Sequence, residues 1–498
     1  MTPGWTIRRA WVWLAPMAVL VAMSLPGFAG PRWPVDTGWY AGIALQVYRD
    51  GHWWTLHAGE LPYFNKPPLG FWLHGFALWL LGGELWVIRA SMLLAAAACV
   101  GLTAQIANRL AGRWAGCCSG LVLAATVEFS RNTDRFRLDY LHTVFILLAL
   151  LAVVYAAGDD RRSRILWLPV GLAIGLALMT KPIAALLIVP VAALWLLWIG
   201  QPRRARQLIP AVGVALLVAG AWHMGMYLEH GRDFTAVFFQ SQAFDRAIGL
   251  DFAPEPSWWY ARHVGQTYWP WLVTLVLSVV AFARGRTHDR HRPLMKLALL
   301  FAALGVLGLS AFADKREHYL FPIYPAMAWM SGVWIASVMS LHARRFVLAR
   351  WPSLAAAAVS LSLVLTLAVK PRFTPSQKLP WHELYAFIAS ARQDGLHEIW
   401  NGQLSYQDAA MVYTKTGLWP RATRGPDGRL TLPPPGAMVI YADAGETRPP
   451  NAAIKNGYWW DRIVVIAWPD ELPPEWSLGD PAGDRPVRGQ SVLGASSP

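Results

Sequence analysis

The chain has 498 residues, of which 55% are hydrophobic and only 15% charged, and its mean hydropathy is +0.32. Water-soluble globular proteins seldom reach these values, so most of the chain is expected to lie in a bilayer. The net charge of +14 does not indicate a nucleic-acid partner, because lysine and arginine occur in small groups between apolar stretches. The 29 tryptophans favour the membrane–water interface, which makes membrane lipids the expected partner.

Apolar runs long enough to cross the ~30 Å hydrocarbon core of a bilayer recur along the chain. They are residues 10–28, 85–107, 113–130, 138–157, 164–179, 182–200, 207–228, 267–284, 294–312, 319–340 and 351–369. The sequence therefore predicts an all-α polytopic membrane protein with about eleven transmembrane helices. The three cysteines, Cys99, Cys117 and Cys118, lie inside these runs without metal-binding spacing, so disulfides and cysteine metal sites are not expected.

Positive charge predicts the orientation of these spans, because short cytoplasmic loops collect lysine and arginine. Every alternate segment is basic: Arg8 and Arg9; Arg109 and Arg113; Arg161, Arg162 and Arg164; Arg203, Arg204 and Arg206; Arg284, Arg286, Arg290, Arg292 and Lys296; Arg344, Arg345 and Arg350. The opposite loops mix acids, bases and aromatics, and they cover residues 29–84, 131–137, 180–181, 229–266 and 313–318. These loops are predicted to face the periplasm from a bacterial inner membrane.

The last part of the chain differs in composition from the spans before it. An odd number of spans puts residues 371–498 on the periplasmic side, as a small α/β domain that follows a transmembrane domain of residues 1–370. Within it, residues 381–391 have a helical pattern, whereas Met438–Ala442 and residues 462–468 have the pattern of short buried strands between Pro- and Gly-rich loops.

The first external loop is predicted to begin with an amphipathic helix over residues 36–50, lying in the interface. Asp36 stands at its start, where a carboxylate can accept hydrogen bonds from free amides of the first turn, so capping and catalysis are both open to it. Further on, Lys66 precedes Pro67 and Pro68 and has aromatic residues on both sides. A lysine fixed at such a turn is well placed to hold a lipid phosphate, and the alternative is a lysine that only extends to the interface.

Four stretches occur in a characteristic order, and all lie on the predicted outer face. They are residues 36–44; residues 63–72; Arg137-Leu138-Asp139 with Met179-Thr180-Lys181-Pro182; and residues 315–322 with Pro325. Together they resemble the bacterial membrane glycosyltransferases of the protein O-mannosyltransferase type (glycosyltransferase families 39 and 83), particularly the aminoarabinose transferase-like group. The resemblance implies a GT-C fold with interfacial helices in the first external loop. It also implies a cavity at the outer face and a polyprenyl-phosphate sugar donor.

The resemblance also implies roles for individual residues. Asp36 and Asp139 correspond to catalytic acidic residues, Asp36 being the one that activates the acceptor. The residues expected at the donor phosphate are Lys66, Lys181 and Arg316. The residues expected at the substrate are Tyr63, Arg137, His318 and Tyr319. Asn65 stands where aminoarabinose transferases have a glutamate associated with a metal, so no metal or other cofactor is predicted, and a related sugar transfer is favoured over aminoarabinose transfer itself.

The chemistry of such a transfer requires a base for the acceptor hydroxyl and positive charge for the departing phosphate. The sequence thus predicts an enzyme that moves a sugar from an undecaprenyl-phosphate-type donor to a lipid, glycan or protein acceptor by direct, inverting displacement. A phosphate leaves without protonation, so no second acid is needed.

Other interpretations of the same residues stay open. A transporter or flippase of a lipid-linked sugar would carry polar groups along the membrane midplane, and a scaffold would only display the tail. Asp139 can belong to a charge cluster with Arg135 and Arg137, and the cations can simply form ion pairs. His318 and Tyr319 can belong to an interfacial aromatic belt, and His223 is expected to be a hydrogen-bonded packing residue.

Overall fold

The computed structural model describes the greater part of the chain before residue 347 and shorter segments after it. The described residues are 4–28, 35–82, 85–158, 163–245, 248–249, 255–339, 342–346, 350, 388, 396–401, 412–413, 418–422, 437–442, 457–460 and 463–467. They separate into two compact units. The first lies within Met1–Arg32, Asn65–Gly70 and Ile88–Lys370, and the second within Trp33–Phe64, Phe71–Val87 and Pro371–Pro498.

Helices dominate the described part of the chain. They are α1 (Gly4–Phe28), α2 (Val35–Arg49), α3 (Leu69–Leu81), α4 (Leu85–Ala111), α5 (Arg113–Ala124), α6 (Val127–Ser130), α7 (Leu138–Gly158), α8 (Ser163–Leu178), α9 (Pro182–Ala185), α10 (Ile188–Trp198), α11 (Pro202–Arg206), α12 (Leu208–Thr235), α13 (Trp259–Thr267), α14 (Trp269–Ala283), α15 (Arg292–Ala311) and α16 (Tyr324–Val338). Helix α12 continues as a π-helix over Ala236–Asp245, and 3₁₀ turns cover Asp289–His291 and Glu317–Leu320.

These helices make the chain a multi-pass membrane protein. Among the described residues, four helices are long and apolar enough to cross a bilayer, namely Trp86–Ala111, Leu138–Gly158, Pro202–Gln242 and Asp289–Ala311. Helices α13 and α14, which meet at 111°, form a fifth candidate if they are one broken span. Ten of the eleven predicted runs contain a helix, and the run at 351–369 lies outside the described residues. Eleven spans therefore stays a prediction.

Several predicted spans are shorter than expected because breaks interrupt their helices. The run at 113–130 is divided between α5 and α6 by Ala125 and Thr126, and α5 has 12 residues, about 18 Å of helix against a ~30 Å core. The run at 182–200 is likewise divided between α9 and α10. Hydropathy alone does not reveal such breaks, since the residues at them are themselves small or apolar.

Small residues allow the helices of the first unit to pack closely. A side chain at Gly332 of α16 would collide with Ser119 of α5, and one at Gly171 of α8 would collide with the backbone carbonyl of Ala211 in α12. Close approach of backbones over small residues is typical of helix pairs in membranes, where packing replaces the hydrophobic effect as the driving force. These contacts fix the helices whose ends carry the polar residues described below.

Loops that the charge pattern assigns to one face contact one another in the first unit. Predicted outer loops are joined by hydrogen bonds from the Leu69 amide to the Met179 carbonyl (3.2 Å) and from Lys315 Nζ to the Glu255 carbonyl (3.0 Å). At the predicted inner face, the end of the run at 182–200 contacts the basic segment before the run at 294–312 and the start of that run. Trp195 Nε1 donates to the Pro293 carbonyl (2.8 Å), and Lys296 Nζ donates to the Trp198 carbonyl (2.9 Å). Each of these hydrogen bonds joins two segments that the charge pattern places on the same face.

The second unit contains two sheets. Strands β1 (His57–Ala58) and β2 (Leu61–Pro62) pair antiparallel. The larger sheet has the order β4-β3-β5-β7-β6, with β3 (Ile399–Asn401), β4 (Arg421–Ala422), β5 (Met438–Ala442), β6 (Gly457–Trp460) and β7 (Ile463–Ala467). Strand β3 runs parallel to β4 and β5, whereas β7 runs antiparallel to β5 and β6.

Both strands predicted in the tail are present, as β5 with the predicted bounds and as β7 within residues 462–468. The helix predicted over residues 381–391 lies outside the described residues except for Ile388. The helix predicted over residues 36–50 is observed as α2, Val35–Arg49, and its interfacial position stays a prediction. The division of the chain into domains of residues 1–370 and 371–498 stays a prediction.

Side chains of the tail hold the C-terminal end of α2 within the second unit. Arg49 Nη1 donates to the Tyr413 carbonyl (3.1 Å), and the Tyr413 hydroxyl donates to Asp50 Oδ2 (2.8 Å). Arg421 Nε also meets Glu60 Oε1 (2.9 Å), but both of these side chains are about half exposed. Tyr413, in contrast, is 2% exposed, and its buried contact is the stronger of the two connections.

Replacing Tyr413 with phenylalanine is expected to destabilise the second unit by about 1 kcal/mol, because a buried hydroxyl bonded to a carboxylate is lost. Arg421→Met serves as the matched control and should cost less than about 0.5 kcal/mol, since its ion pairs are exposed. Thermal unfolding of the detergent-purified variants gives the comparison. Equal midpoints for the two variants would show that the Tyr413 contact does not stabilise the unit.

Candidate active site

A cavity of about 460 Å³ lies within the first unit. Its polar lining residues are Asn65, Lys66, Asp139, His142, Lys181, His223, Gln242, Asp314 and Tyr319. Its apolar lining residues include Leu178, Pro182, Leu186, Leu216, Phe238, Phe239, Leu309, Phe312 and Pro322. The cavity is therefore lined by four of the residues predicted at the site, namely Lys66, Asp139, Lys181 and Tyr319. The rest of its wall is mostly apolar.

Helix ends bring Asp139 and Lys181 to this cavity. Asp139 is the second residue of α7, where a carboxylate interacts favourably with the helix dipole. Lys181 lies between α8 and α9 with an extended backbone, the conformation that a following proline favours, and Pro182 is the first residue of α9. Lys181 therefore lies at a break between two apolar helices, where its side chain reaches the cavity.

Asp139 and Lys181 form an ion pair, with 2.7 Å between Lys181 Nζ and Asp139 Oδ1. The side chains are 18% exposed for Lys181 and 6% for Asp139. Lys181 Nζ also lies 4.5 Å from the ring centroid of Tyr319, a cation–π contact. Three residues predicted separately thus form one cluster, in which Asp139 holds the lysine in place.

Lys66 lines the same cavity, where it contacts a residue that the sequence did not suggest. Its Nζ donates to Gln242 Oε1 at 3.0 Å. Gln242 belongs to the π-helix Ala236–Asp245, which follows a non-helical Gly231 with φ 52°. A π-helix departs from regular α-helical hydrogen bonding and often occurs at functional sites. Here the π-helical segment contributes Gln242 to the cavity wall.

Arg137 and His318 contact each other beside this cluster, with 3.3 Å between Arg137 Nη1 and His318 Nδ1. A guanidinium only donates, so Nδ1 accepts and the ring proton is on Nε2. Burial lowers the pKa of His318 from its ordinary 6.5 to about 3; the Asp139 carboxylate opposes that shift, and the Lys181 and Arg137 charges reinforce it. His318 is therefore neutral near pH 7.

His318 should make the protein less stable as the pH falls from about 6.5 towards 3. The unfolded chain binds a proton on this ring near pH 6.5, whereas the folded protein does not, so the stability is fully present above pH 6.5 and is lost on acidification. We expect the thermal midpoint of His318→Gln to fall less than that of the parent protein between pH 7.5 and pH 5. Parallel midpoints for both proteins would contradict this.

Arg316 lies one contact away from the cavity. Its Nε donates to Asp314 Oδ1 at 2.8 Å, and Asp314 is a buried lining residue. Its backbone amide donates to the Tyr260 hydroxyl at 3.3 Å. Arg316, Arg137 and His318 are not among the described lining residues. Arg137 and His318 lie beside the cluster, whereas Arg316 contacts the lining residue Asp314.

Asp36 and Tyr63 belong to the second unit. Asp36 is the second residue of α2, which begins one residue before the predicted start. Tyr63 is 4% exposed and makes edge contacts with Trp39 (5.6 Å between ring centroids) and Phe71 (5.7 Å). The aromatic ring of Tyr63 therefore packs within the first external loop, and the proposed roles of both residues stay predictions.

Sequence reasoning missed three polar lining residues, Gln242, Asp314 and His142. His142 follows Asp139 by three residues on α7 and therefore shares its helix face, a spacing that could have drawn attention to it. His223 was expected to be a packing residue; its Nδ1 lies 2.7 Å from the Ala219 carbonyl of its own helix, and the residue also lines the cavity. No group of three or more His, Cys, Asp or Glu side chains in the described part is arranged to hold a metal.

Comparison with known proteins places this geometry in a known fold. Residues 65–224 match the dolichyl-phosphate-mannose-protein mannosyltransferase family. A solved structure of ArnT from Cupriavidus metallidurans bound to undecaprenyl phosphate superposes with a TM-score of 0.70 over 94% of this chain and 98% of that one, at 18% identity. The chain has the GT-C fold of the aminoarabinose transferase-like proteins. The predicted helical GT-C fold is thereby confirmed, whereas the number of spans and the C-terminal α/β domain stay predictions.

Two further proteins, one less similar in sequence than ArnT and one more similar, agree with this fold. The Archaeoglobus fulgidus oligosaccharyltransferase AglB, in complex with an inhibitory peptide and a dolichol-phosphate, has a TM-score of 0.51 over 87% of this chain and 70% of that one, at 11% identity. An undecaprenyl phosphate-α-4-amino-4-deoxy-L-arabinose arabinosyl transferase of Pseudomonas paraeruginosa is 30% identical over 310 residues, 60% of this chain. The match spans about half the length of that relative, 55%.

Proposed function

We propose that this protein transfers a sugar from an undecaprenyl-phosphate-type donor to an acceptor at the periplasmic face of a bacterial inner membrane. The observation that carries the proposal is the meeting of Lys66, Lys181 and Asp139 in one cavity with a large apolar lining. Two cations suit a phosphate, and the apolar surface suits the polyprenyl chain attached to it. The names of the relatives and the lipid phosphate bound to the similar ArnT structure support this choice of donor.

Lys66 and Lys181 are the proposed phosphate ligands, with Asp139 orienting Lys181. Positive charge held in position before the reaction stabilises the phosphate as the bond to the sugar breaks, without any reorganisation at that moment. Lys181 is already fixed by Asp139 and the Tyr319 ring, and Lys66 by Gln242. When a phosphate enters, Lys66 exchanges a neutral amide oxygen for a charged one, which strengthens its hydrogen bond.

Asp36 is the proposed base that takes the proton from the acceptor hydroxyl. Attack on the anomeric carbon opposite the phosphate then gives direct displacement with inversion. Arg316, whose guanidinium is held by Asp314, is proposed to add positive charge near the phosphate. Arg137, His318 and Tyr319 are proposed to orient the sugar beside Lys181. Tyr63 is proposed to bind substrate from the first external loop. The acceptor is a lipid, a glycan or a protein, and the transfer needs no metal or other cofactor.

The active site and residues 371–498 are proposed to be periplasmic, with eleven spans in residues 1–370. The alternation of basic and mixed loops supports this orientation, as do the contacts among the predicted outer loops. The tail is proposed to hold the first external loop in place through the Tyr413 contacts with Arg49 and Asp50.

Comparing lipid extracts tests the proposed function in cells. A strain that lacks this protein should accumulate a polyprenyl-phosphate sugar and lose a glycosylated lipid, glycan or protein, and mass spectrometry would identify both. Returning the gene should reverse both changes. Unchanged pools of lipid-linked sugar in the deletion strain would contradict the proposal.

A further inference from the structure

A buried histidine in the cavity wall has no role in the mechanism above. His142 lies on α7 one turn after Asp139, lines the cavity and is 0% exposed. Histidine is rare in the interior of membrane helices, because burying its polar nitrogens is costly unless they are bonded. Such a residue usually serves a site.

The two ring nitrogens of His142 have different surroundings. Nδ1 lies 3.2 Å from the backbone carbonyl of Ala177. A carbonyl only accepts, so Nδ1 carries the proton and Nε2 is left as an acceptor with a free lone pair. Nε2 is buried and has no hydrogen-bond partner among the described residues. A buried acceptor without a partner is uncommon in native structures, and it indicates a group that a ligand completes.

His223 is a second histidine in the cavity wall, and its ring indicates which kind of ligand group suits the site. Its Nδ1 donates to the Ala219 carbonyl, so its Nε2 is also an acceptor at the cavity. Lys66 and Lys181 offer only donors, which suit the oxygens of a phosphate. A phosphate diester carries no proton to donate near pH 7, so the imidazole acceptors require a different part of the ligand, one with hydroxyl or amino hydrogens.

We propose that His142 is a specificity-determining residue whose Nε2 accepts a hydrogen bond from a hydroxyl or amino group of the sugar on the lipid phosphate. The inference rests on the proposed function, because it takes the lipid-linked sugar as the ligand. It assigns the lysines to the phosphate and His142 to the sugar, so that the protein distinguishes a loaded carrier from the bare lipid phosphate released after transfer.

A matched pair of variants separates the two nitrogens of His142. Asparagine places its amide near the position of Nδ1 and removes the Nε2 acceptor, whereas glutamine reaches the position of Nε2 and retains an acceptor there. Affinities are measured in detergent for undecaprenyl phosphate alone and for undecaprenyl phosphate carrying glucose, mannose or 4-amino-4-deoxy-L-arabinose. We expect His142→Asn to lower the affinity for the best-binding glycosylated lipid about tenfold. The affinity for bare undecaprenyl phosphate should change less than about twofold. His142→Gln should keep most of the preference.

Stability measurements distinguish this role from a structural one. His142→Leu removes an unpaired buried acceptor, and the Ala177 carbonyl that loses the Nδ1 hydrogen bond still accepts from the Thr180 and Lys181 amides. Its thermal midpoint should therefore be at least that of the parent, while its preference for glycosylated lipid is lost as in the asparagine variant. His263→Asn is the control, since His263 is buried, its Nε2 also has no partner among the described residues, and it does not line the cavity. This variant should keep the preference.

The outcomes separate failure of this inference from failure of the proposed function. The role of His142 would be overturned if His142→Asn lowered the affinities for bare and glycosylated lipid equally. It would also be overturned if the asparagine and glutamine variants had equal effects. Neither result would contradict the phosphate site. A parent protein that binds neither bare nor glycosylated lipid would overturn the proposed function itself. A lower midpoint for His142→Leu with an unchanged preference would make His142 a packing residue.

Discussion

Replacing Lys181 with methionine is expected to lower sugar transfer at least about 100-fold. The ammonium group is held 2.7 Å from Asp139 and 4.5 Å from the Tyr319 ring, at a cavity that also contains Lys66. Removing a positioned charge that stabilises a developing anion typically costs 100- to 1,000-fold in rate. Methionine retains much of the length and apolar volume of lysine, so the loss is one of charge. A transfer assay at saturating donor measures the effect on the chemical step.

The same substitution is expected to destabilise the protein by about 3 kcal/mol. Asp139 is 6% exposed, and without Lys181 its carboxylate stays buried with no other cation of the described residues at ion-pair distance. The double variant Asp139→Asn/Lys181→Met removes both charges, so it should recover most of the lost stability while remaining inactive. Recovery of activity along with stability would show that the pair is structural and that Lys181 does not act on the phosphate.

Asp36→Asn is expected to reduce transfer about 1,000-fold while leaving donor binding intact. General base catalysis by a positioned carboxylate is typically worth 100- to 10,000-fold, and asparagine cannot take a proton. Asp36 is the second residue of α2, so it lies inside the helix and is not the residue that precedes and caps it. The substitution therefore removes the base without removing a cap.

Two measurements make the Asp36 experiment decisive. The affinity of the variant for undecaprenyl phosphate should match the parent, because the proposed phosphate ligands are Lys66 and Lys181. The thermal midpoint should also be unchanged, which excludes misfolding as the reason for inactivity. Full transfer activity in a folded Asp36→Asn protein would rule out Asp36 as the base.

The helices follow from the sequence where hydropathy is sustained. The runs at 85–107 and 138–157 became α4 and α7 with nearly the predicted bounds, since long apolar segments have no alternative to helix in a bilayer. The breaks at Ala125 and near Leu187 were not predictable from hydropathy, because their side chains are apolar and the interruption depends on packing. The π-helix Ala236–Asp245 likewise leaves no mark in residue type.

Four of the residues that line the cavity were singled out from the sequence, but their pairing was not predictable. Lys66, Asp139 and Lys181 stood out because charge at the end of an apolar run is costly without a purpose. Neither the ion pair of Asp139 with Lys181 nor the contact of Lys66 with Gln242, 176 residues away, can be derived from spacing along the chain. These contacts depend on how α7, α8 and the π-helix pack, which hydropathy does not encode.

Transfer by the purified protein tests the central claim most directly. The protein is incubated in detergent with undecaprenyl phosphate carrying an isotope-labelled sugar and with lipid, glycan and protein fractions from the cell envelope. We predict that the label moves to one acceptor fraction while bare undecaprenyl phosphate appears in equal amount, and that Lys181→Met and Asp36→Asn abolish both. Movement of intact labelled lipid across proteoliposomes, with no cleavage of the sugar–phosphate bond, would contradict a transferase and identify a flippase.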